Sequence, residues 1–457
     1  GRGAMAVCGD GAALYVGRLA CAGAAWGVGF APTGRLARWF LSSLSPALLL
    51  RLPRPLAWAA RRLLLPHVSV AELTDGNVNF SFSLRARGAV RGLFVKHATG
   101  FVKWQPQMLL DAARMRREVC YYTDAAAVLG EAEAARFQPA LHMFDEAHMV
   151  MVMDFLEGHE LLIERCFDPA AGVPTAAAAA AGSYLGQVHG RTMDKEGREV
   201  ETAQRAVRYW NHELRAVQLE HVFNVCYEHS ARGRALASSD PTFMAEVLSL
   251  KARYLGYSLG SESQRALCHG DCHAGSVMVA ADGRSVKVID PEFAVFGPPG
   301  LDIGSLMFAF VCGFIFHVQT SRRSDGTGTA GNLRSAISTA WQEYSAQLAT
   351  TGASKAELRQ VAEDAVGFCM CEVVRTSLGF AGARNPALRL GSADEVDRYE
   401  ELAVQVAQRC MTGRRTAKPL GDAEAPIKLL LQELDRIQAD EKQARQLRVP
   451  EGGKKTI

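Results

Sequence analysis

The chain has 457 residues, and at about 150 residues per domain this length implies two or three structural units. It is 48% hydrophobic and 22% charged, which excludes disordered and collagen-like classes and leaves enough apolar side chains for a sizeable core. Fifty-one basic against 48 acidic residues give a net charge of +3, so no overall field argues for nucleic acid. The eleven cysteines form an odd set without a CxxC pair, which favours free thiols in a reducing compartment over a disulfide framework.

Residues 1–66 hold eight Arg, no Lys and a single acid, Asp10. Such an Arg-rich, acid-poor stretch is expected to be a disordered extension or an organelle-targeting leader. Its apolar run Trp39 to Leu50 contains Pro46 and falls short of the roughly 20 residues that span a bilayer, so no membrane association is expected.

Patterning begins at residue 67. Asp75-Gly76-Asn77 is a turn signal. In the following GNVNFSFSL, Val78, Phe80, Phe82 and Leu84 alternate with polar residues, the period of a half-buried strand. Gly92 to His97 reads as its hairpin partner and carries Lys96. A helix is expected over Gln107 to Val128 with Arg114 and Glu118 one turn apart on one face. A Met-rich strand follows at Met149 to Phe155. Helical periods then dominate: Thr175 to His189, Ala203 to Tyr227, Asp240 to Leu259, Leu333 to Leu348, Lys355 to Phe380 and Ala393 to Cys410. The expected fold class is α+β, with residues 67–155 a small antiparallel-sheet lobe and 156–412 a larger helical lobe. Residues 413–457 are expected to form a charged tail with a surface helix at Ile427 to Leu447.

The most informative stretch runs from His269 to Glu292. HGDCHAGS is followed by two short apolar runs, Val277 to Val279 and Val286 to Ile289, separated by Asp282-Gly283, and then by Asp290-Pro291-Glu292. Asp-Gly between apolar runs is a hairpin signal. Closing the hairpin carries Asp271 to the same edge as Asp290 and Glu292. Like charges so gathered repel unless a cation sits among them, and hard oxygen ligands suit Mg2+. Phosphoryl transfer needs this set: one carboxylate to orient the attacking hydroxyl, others to hold the metal that neutralises nucleotide phosphates. His269 and His273 are expected to orient the loop rather than ligate, because two His beside carboxylates do not make a closed zinc set.

The small lobe with Lys96, the HGDCHAGS loop and the DPE triplet resemble the aminoglycoside phosphotransferase and choline kinase group, whose fold is protein-kinase-like and two-lobed. More narrowly, TDGNVNFSF (Thr74 to Phe82), NHELRAVQLEHVF (Asn211 to Phe223) and DPEFAVFGPPGLDIGSL (Asp290 to Leu306) resemble the S-methyl-5-thioribose kinase family. That resemblance implies ATP-dependent phosphorylation of 5-methylthioribose at its 1-hydroxyl in methionine salvage, by a cytoplasmic homodimer. It implies Asp271 as the base, Asp290 and Glu292 as Mg2+ ligands with Ser276 beside them, and Lys96, held by Glu118, on the α/β-phosphates. It also implies Asp75-Gly76-Asn77 over the phosphates and Met153 to Phe155 as the adenine-binding hinge. Thioribose kinases carry an Arg-Arg pair on a late helix that reaches the substrate, where this chain has Arg375-Thr376, one guanidinium instead of two. Another small-molecule kinase of the same group, or an inactive nucleotide-binding relative, are the alternatives.

Overall fold

The computed structural model describes residues 68–74, 78–86, 91–168, 170, 172–256, 264–320, 327–379 and 381–448. The Arg-rich stretch 1–66 and the turn Asp75-Gly76-Asn77 lie outside the described residues. The described residues divide into two compact units, one within 68–119 and 139–158, the other within 120–138 and 159–448. Residues 120–138 belong to the second unit: Tyr121, Ala125, Leu129, Ala134 and Phe137 are buried in that unit's core.

The first unit is built on antiparallel strands, with β1 at Val68–Leu73, β2 at Phe80–Ala86 and β3 at Leu93–His97. A separate two-stranded ladder of β4 (Phe101–Val102) and β5 (Gln105–Leu109) follows. With β6 (Leu141–Asp145) and β7 (Val150–Asp154), the main sheet has the order β1-β2-β3-β7-β6. The expected alternation is realised: Phe82, Leu84, Leu93 and Val152 form a buried cluster with Val70, Phe80, Val95 and Met143 against it. The helix expected from Gln107 begins later, as α1 (Arg114–Leu129), because Gln105 to Leu109 is taken up as strand β5.

The second unit is mostly helical. Helices α2 (Thr175–Thr192), α3 (His212–Glu220) and α4 (Pro241–Leu255) precede its central helix, α5 (Gly300–Thr320). Helix α5 is long and apolar enough to cross a membrane, yet 94% of its most apolar window is buried inside the unit. An all-round apolar helix is the signature of such a core position. Around it lie α6 (Thr327–Thr350), α7 (Lys355–Leu378), α8 (Ala393–Gly413) and α9 (Ala425–Arg448). The Ala-rich run of α2 lets it approach α6 closely, and a Cβ on Gly182 would stand 2.2 Å from the Ala340 carbonyl oxygen.

Two expectations from the sequence do not hold. The single helix over Ala203 to Tyr227 is broken at Tyr209 to Asn211, and passes through a π-helical turn at His221–Val225. The charged tail is not a surface appendage, since Ile427, Leu430, Leu434 and Ile437 recur at helical spacing and are buried in the core of the second unit. The described cysteines are free thiols.

Candidate active site

In the sheet-bearing unit, Lys96 lies on β3 between Ser81 of β2 and Met151 of β7. It is buried, and its Nζ donates to both carboxylate oxygens of Glu118 on α1, at 2.9 and 2.8 Å. Lys96 therefore contacts Glu118, as the resemblance implies. Arg114 instead donates to Asn79 Oδ1 at 2.6 Å and to the Thr99 carbonyl at 2.7 Å. Met153 is buried in β7 and Phe155 follows it, its N–H donating to the Gly92 carbonyl at 3.2 Å.

In the helical unit, two short ladders force two loops to face each other. Strand β8 (His159–Leu161) is followed far along the chain by β9 (Ala266–Cys268), which pairs antiparallel with β12 (Val295–Gly297), Cys268 opposite Val295. Beyond them β10 (Val277–Ala280) pairs with β11 (Val286–Val288), Val277 opposite Val288, and the turn at Asp282-Gly283 closes the expected hairpin. Strand β8 extends this hairpin on the β10 side. Between the ladders, the loop 269–276 meets the loop 289–294. Ile289 N–H donates to the Ser276 carbonyl at 2.9 Å, and the His269 ring donates through Nε2 to the Ile289 carbonyl at 2.9 Å.

The approach of these loops dictates glycine at 270. Its φ is +88°, a conformation disfavoured for side-chain-bearing residues, and a Cβ there would stand 2.0 Å from the Phe293 carbonyl oxygen. Asp302, in the first turn of α5, fixes the loop from beneath. Its Oδ2 accepts the His269 N–H at 2.6 Å and its Oδ1 the Gly270 N–H at 2.8 Å, while His189 Nε2 lies 3.1 Å from Oδ2. His189, His269 and Asp302 are all buried, and a carboxylate at a helix N-terminus is further favoured by the helix dipole. Helix α3 supplies the other clamp. Gln218 Nε2 donates to the Gly270 carbonyl at 2.7 Å, and Asn211, at the N-cap position, donates its amide to the Glu292 carbonyl at 2.7 Å.

Asp271 is thereby aimed by its own backbone. Its Oδ2 lies 3.5 Å from His273 Nε2 and 3.6 Å from Arg384 Nη1. Burial alone would push this carboxyl up, but the neighbouring charges outweigh it and hold the group below its ordinary value. His273 is itself pushed down to about 3, by burial first and then by Arg384. The charges that hold the Asp271 carboxyl down against burial are those of His273, Arg384 and Arg375, in that order.

Asp290 and Glu292 offer carboxylate oxygens within 4.8 Å of one another, Asp290 exposed and Glu292 buried. Asp290 has φ +65°, and its N–H donates to the Tyr122 hydroxyl at 3.1 Å. A left-handed Asp is tolerated better than most residues, and such conformations gather at functional sites. The Ser276 hydroxyl donates to the Asp271 carbonyl at 3.0 Å, which leaves its oxygen lone pairs as acceptors. This oxygen-only donor set fits a hard divalent cation such as Mg2+.

Arg375, on α7, is buried and donates to Glu372 Oε2 at 2.8 Å. Thr376 is fully buried, its hydroxyl oxygen without a hydrogen-bond partner among the described residues. Two groups that hold or face this site have no role assigned by the sequence motifs. Asp302 stands inside GPPGLDIGSL, but its two backbone acceptances follow from the packing of α5 and not from any spacing. Arg384 stands in no motif.

Residues 109–326 match the family model APH, the phosphotransferase enzyme family. The methylthioribose kinase of Yersinia pestis (strain Pestoides F) is 28% identical over 342 residues, 69% of this chain and 79% of its own length. The methylthioribose kinase of Klebsiella pneumoniae (strain 342) is 28% identical over 392 residues, 75% of this chain and 92% of its own. Among solved structures, a glucosamine kinase in complex with glucosamine, ADP and inorganic phosphate is 15% identical, covering 79% of this chain and 81% of that one with a TM-score of 0.43. These bacterial relatives lend no support to an organelle-targeting leader. The family match encloses Asp271, Ser276, Asp290, Glu292 and Asp302, and ends before Arg375 and Arg384. Over residues 109–326 the chain is similar to the phosphotransferase enzyme family, and it is a small-molecule kinase.

Proposed function

We propose that this kinase transfers the γ-phosphoryl group of ATP to the 1-hydroxyl of 5-methylthioribose, giving the 1-phosphate used in methionine salvage. The observation that carries the reading is Asp271: a carboxylate held below its ordinary value beside His273 and Arg384, on a loop that is locked by Asp302 and Gln218 and meets the loop of Asp290 and Glu292. In the transfer, the acceptor oxygen forms a bond to the γ-phosphorus and its proton passes to the Asp271 carboxylate. The bond from that phosphorus to the β,γ-bridging oxygen breaks, and its electron pair leaves with ADP. Asp290 and Glu292, with Ser276, would hold Mg2+, which when bound neutralises nucleotide phosphate charge. Lys96, fixed by Glu118, would contact the α/β-phosphates, and the backbone around Met153 and Phe155 would receive the adenine.

The choice of a neutral sugar is favoured by Arg384, because a cationic acceptor such as choline or an aminoglycoside would bring its charge toward a guanidinium beside the base. The names of the two bacterial relatives point the same way. By the same resemblance we read the chain as a cytoplasmic homodimer. Phosphorus and proton NMR of the product made from ATP, Mg2+ and methylthioribose tests the reaction. A single product phosphorylated at C1 is expected. A phosphate on another carbon, or no ATP-dependent product, contradicts it.

A further inference from the structure

Helix α7 presents one guanidinium to the Asp271 loop, and position 376 beside it is closed. Thr376 has no exposed surface, so an arginine there would have to be accommodated inside the core. A second guanidinium nevertheless reaches Asp271, from a different element. After α7 ends at Leu378, the chain makes a short 3-10 turn at Gly382–Arg384. The turn is fixed at its exit, where the Asn385 side chain accepts the Ala387 N–H at 2.9 Å and Pro386 starts a second short turn. That second turn is pinned in its own right. The Arg389 guanidinium lies 4.9 Å from the Phe167 ring centroid and 3.2 Å from Glu164 Oε2. Arg384 is thereby set with Nη1 3.6 Å from Asp271 Oδ2.

The distance exceeds that of a hydrogen bond, and Arg384 Nη1, although buried, has no acceptor among the described residues. A buried donor left unmatched is destabilising, so its retention calls for an explanation. Arg375 differs, since Glu372 already accepts from it. Arg384 is a charged donor without a matched acceptor, standing beside the carboxylate that takes the acceptor's proton. What must also come to that carboxylate is the phosphoryl group in transit, whose equatorial oxygens carry the developing charge.

We propose that Arg384 is a substrate-binding residue of this kinase: its Nη1 receives an oxygen of the phosphoryl group as it is transferred and on the product, in the role that the buried Thr376 cannot fill. The inference rests on Asp271 being the base of the proposed reaction. A planar guanidinium can bind two phosphate oxygens at once, so lysine would replace it poorly. The bonds made and broken are those of the transfer itself, and Arg384 neither gains nor loses a proton.

The test is calorimetric titration of inorganic phosphate into the full chain with Mg·ADP present, which does not depend on the identity of the acceptor. Arg384→Ala is expected to weaken phosphate binding at least tenfold while ADP affinity stays within about threefold. Arg384→Lys should fall between the two. With the acceptor that wild type turns over fastest, Arg384→Ala should lower kcat about 10- to 100-fold and leave acceptor KM nearly unchanged, the pattern of an interaction made in the transition state. Unchanged phosphate affinity in Arg384→Ala, or no phosphate binding by wild type, overturns the proposal. A rise in acceptor KM at constant kcat also overturns it, by making Arg384 a contact to the sugar. If wild type ignores methylthioribose but Arg384→Ala still loses phosphate, the substrate assignment fails and this one stands.

Discussion

One charge pair in each unit shows two opposite arrangements. In the sheet-bearing unit, Lys96 and Glu118 are matched to each other by two hydrogen bonds of 2.9 and 2.8 Å. In the helical unit, Asp271 and Arg384 form an ion pair at 3.6 Å, too long for a hydrogen bond, and the Arg384 Nη1 has no hydrogen-bond acceptor among the described residues. The first arrangement is complete before any ligand arrives and serves to fix a lysine on a strand. The second holds donors in reserve, as a site that must stabilise charge appearing during a reaction is expected to do. On the proposed function, the difference separates residues that set geometry from residues that would meet the reacting atoms.

The sharpest way to break this contrast is Asp271→Asn. The base acts on the acceptor and not on ATP, so turnover should fall by about 10²–10⁴ while Mg·ATP affinity changes little. Steady-state kinetics with a parallel nucleotide titration reads both quantities, and near-normal turnover in a folded variant would remove Asp271 from the reaction.

Lys96→Ala probes the matched pair. It strands the Glu118 carboxylate in a buried position, which should cost about 3–5 kcal/mol of stability. Replacing both partners, as Lys96→Met with Glu118→Leu, should restore most of that stability while leaving nucleotide affinity low. Denaturant unfolding and nucleotide titration of the three proteins separate scaffold from ligand contact. Recovery of nucleotide affinity in the double variant would show that Lys96 does not touch phosphate.

A smaller effect is expected at the metal ligands. Asp290→Ala should weaken Mg·ATP binding by about 10- to 100-fold, on the scale of one charge-assisted contact, and Glu292→Ala by less. Calorimetry with and without Mg2+ measures it, and an unaltered metal dependence in Asp290→Ala would move the metal elsewhere.

The smallest effect is a displacement along the pH axis. The Asp271 carboxyl is held below its ordinary value of 3.8, so it stays deprotonated throughout the neutral range and wild-type kcat/KM should show no limb from it above about pH 4.5. Arg384→Gln removes one of the charges that oppose burial. The carboxyl value then rises, the base is protonated at higher pH, and an acid limb should climb into the measurable range. A profile identical to wild type would mean that Arg384 does not act on Asp271 electrostatically.

Much of this arrangement is legible in the amino-acid sequence. The alternation through Phe80, Phe82 and Leu84, the Asp282-Gly283 turn, and the meeting of the loop of Asp271 with the loop of Asp290 and Glu292 all follow from patterns a few residues long. The ladder of β9 with β12 is not legible, because strands of three residues are too short to show a period. The expected helix reaches back to Gln107, inside strand β5, since the polarity of Gln105 to Leu109 carries no strand signal. The break near Tyr209 is set by tertiary contacts, Tyr209 donating its hydroxyl to Asp124 at 2.7 Å. Asp302 and Arg384 lie 31 and 113 residues from Asp271 in sequence, and only packing brings them to it. Motifs identify the residues that meet the substrates by type; they do not identify those whose role depends on where the chain returns.

The most direct test of the central claim is coupled ADP release by the purified chain with saturating Mg·ATP, offered methylthioribose, choline and kanamycin side by side. The account predicts that kcat/KM for methylthioribose exceeds that for either cationic acceptor by at least two orders of magnitude, and that Asp271→Asn abolishes the difference. Equal or greater turnover of choline or kanamycin would contradict it.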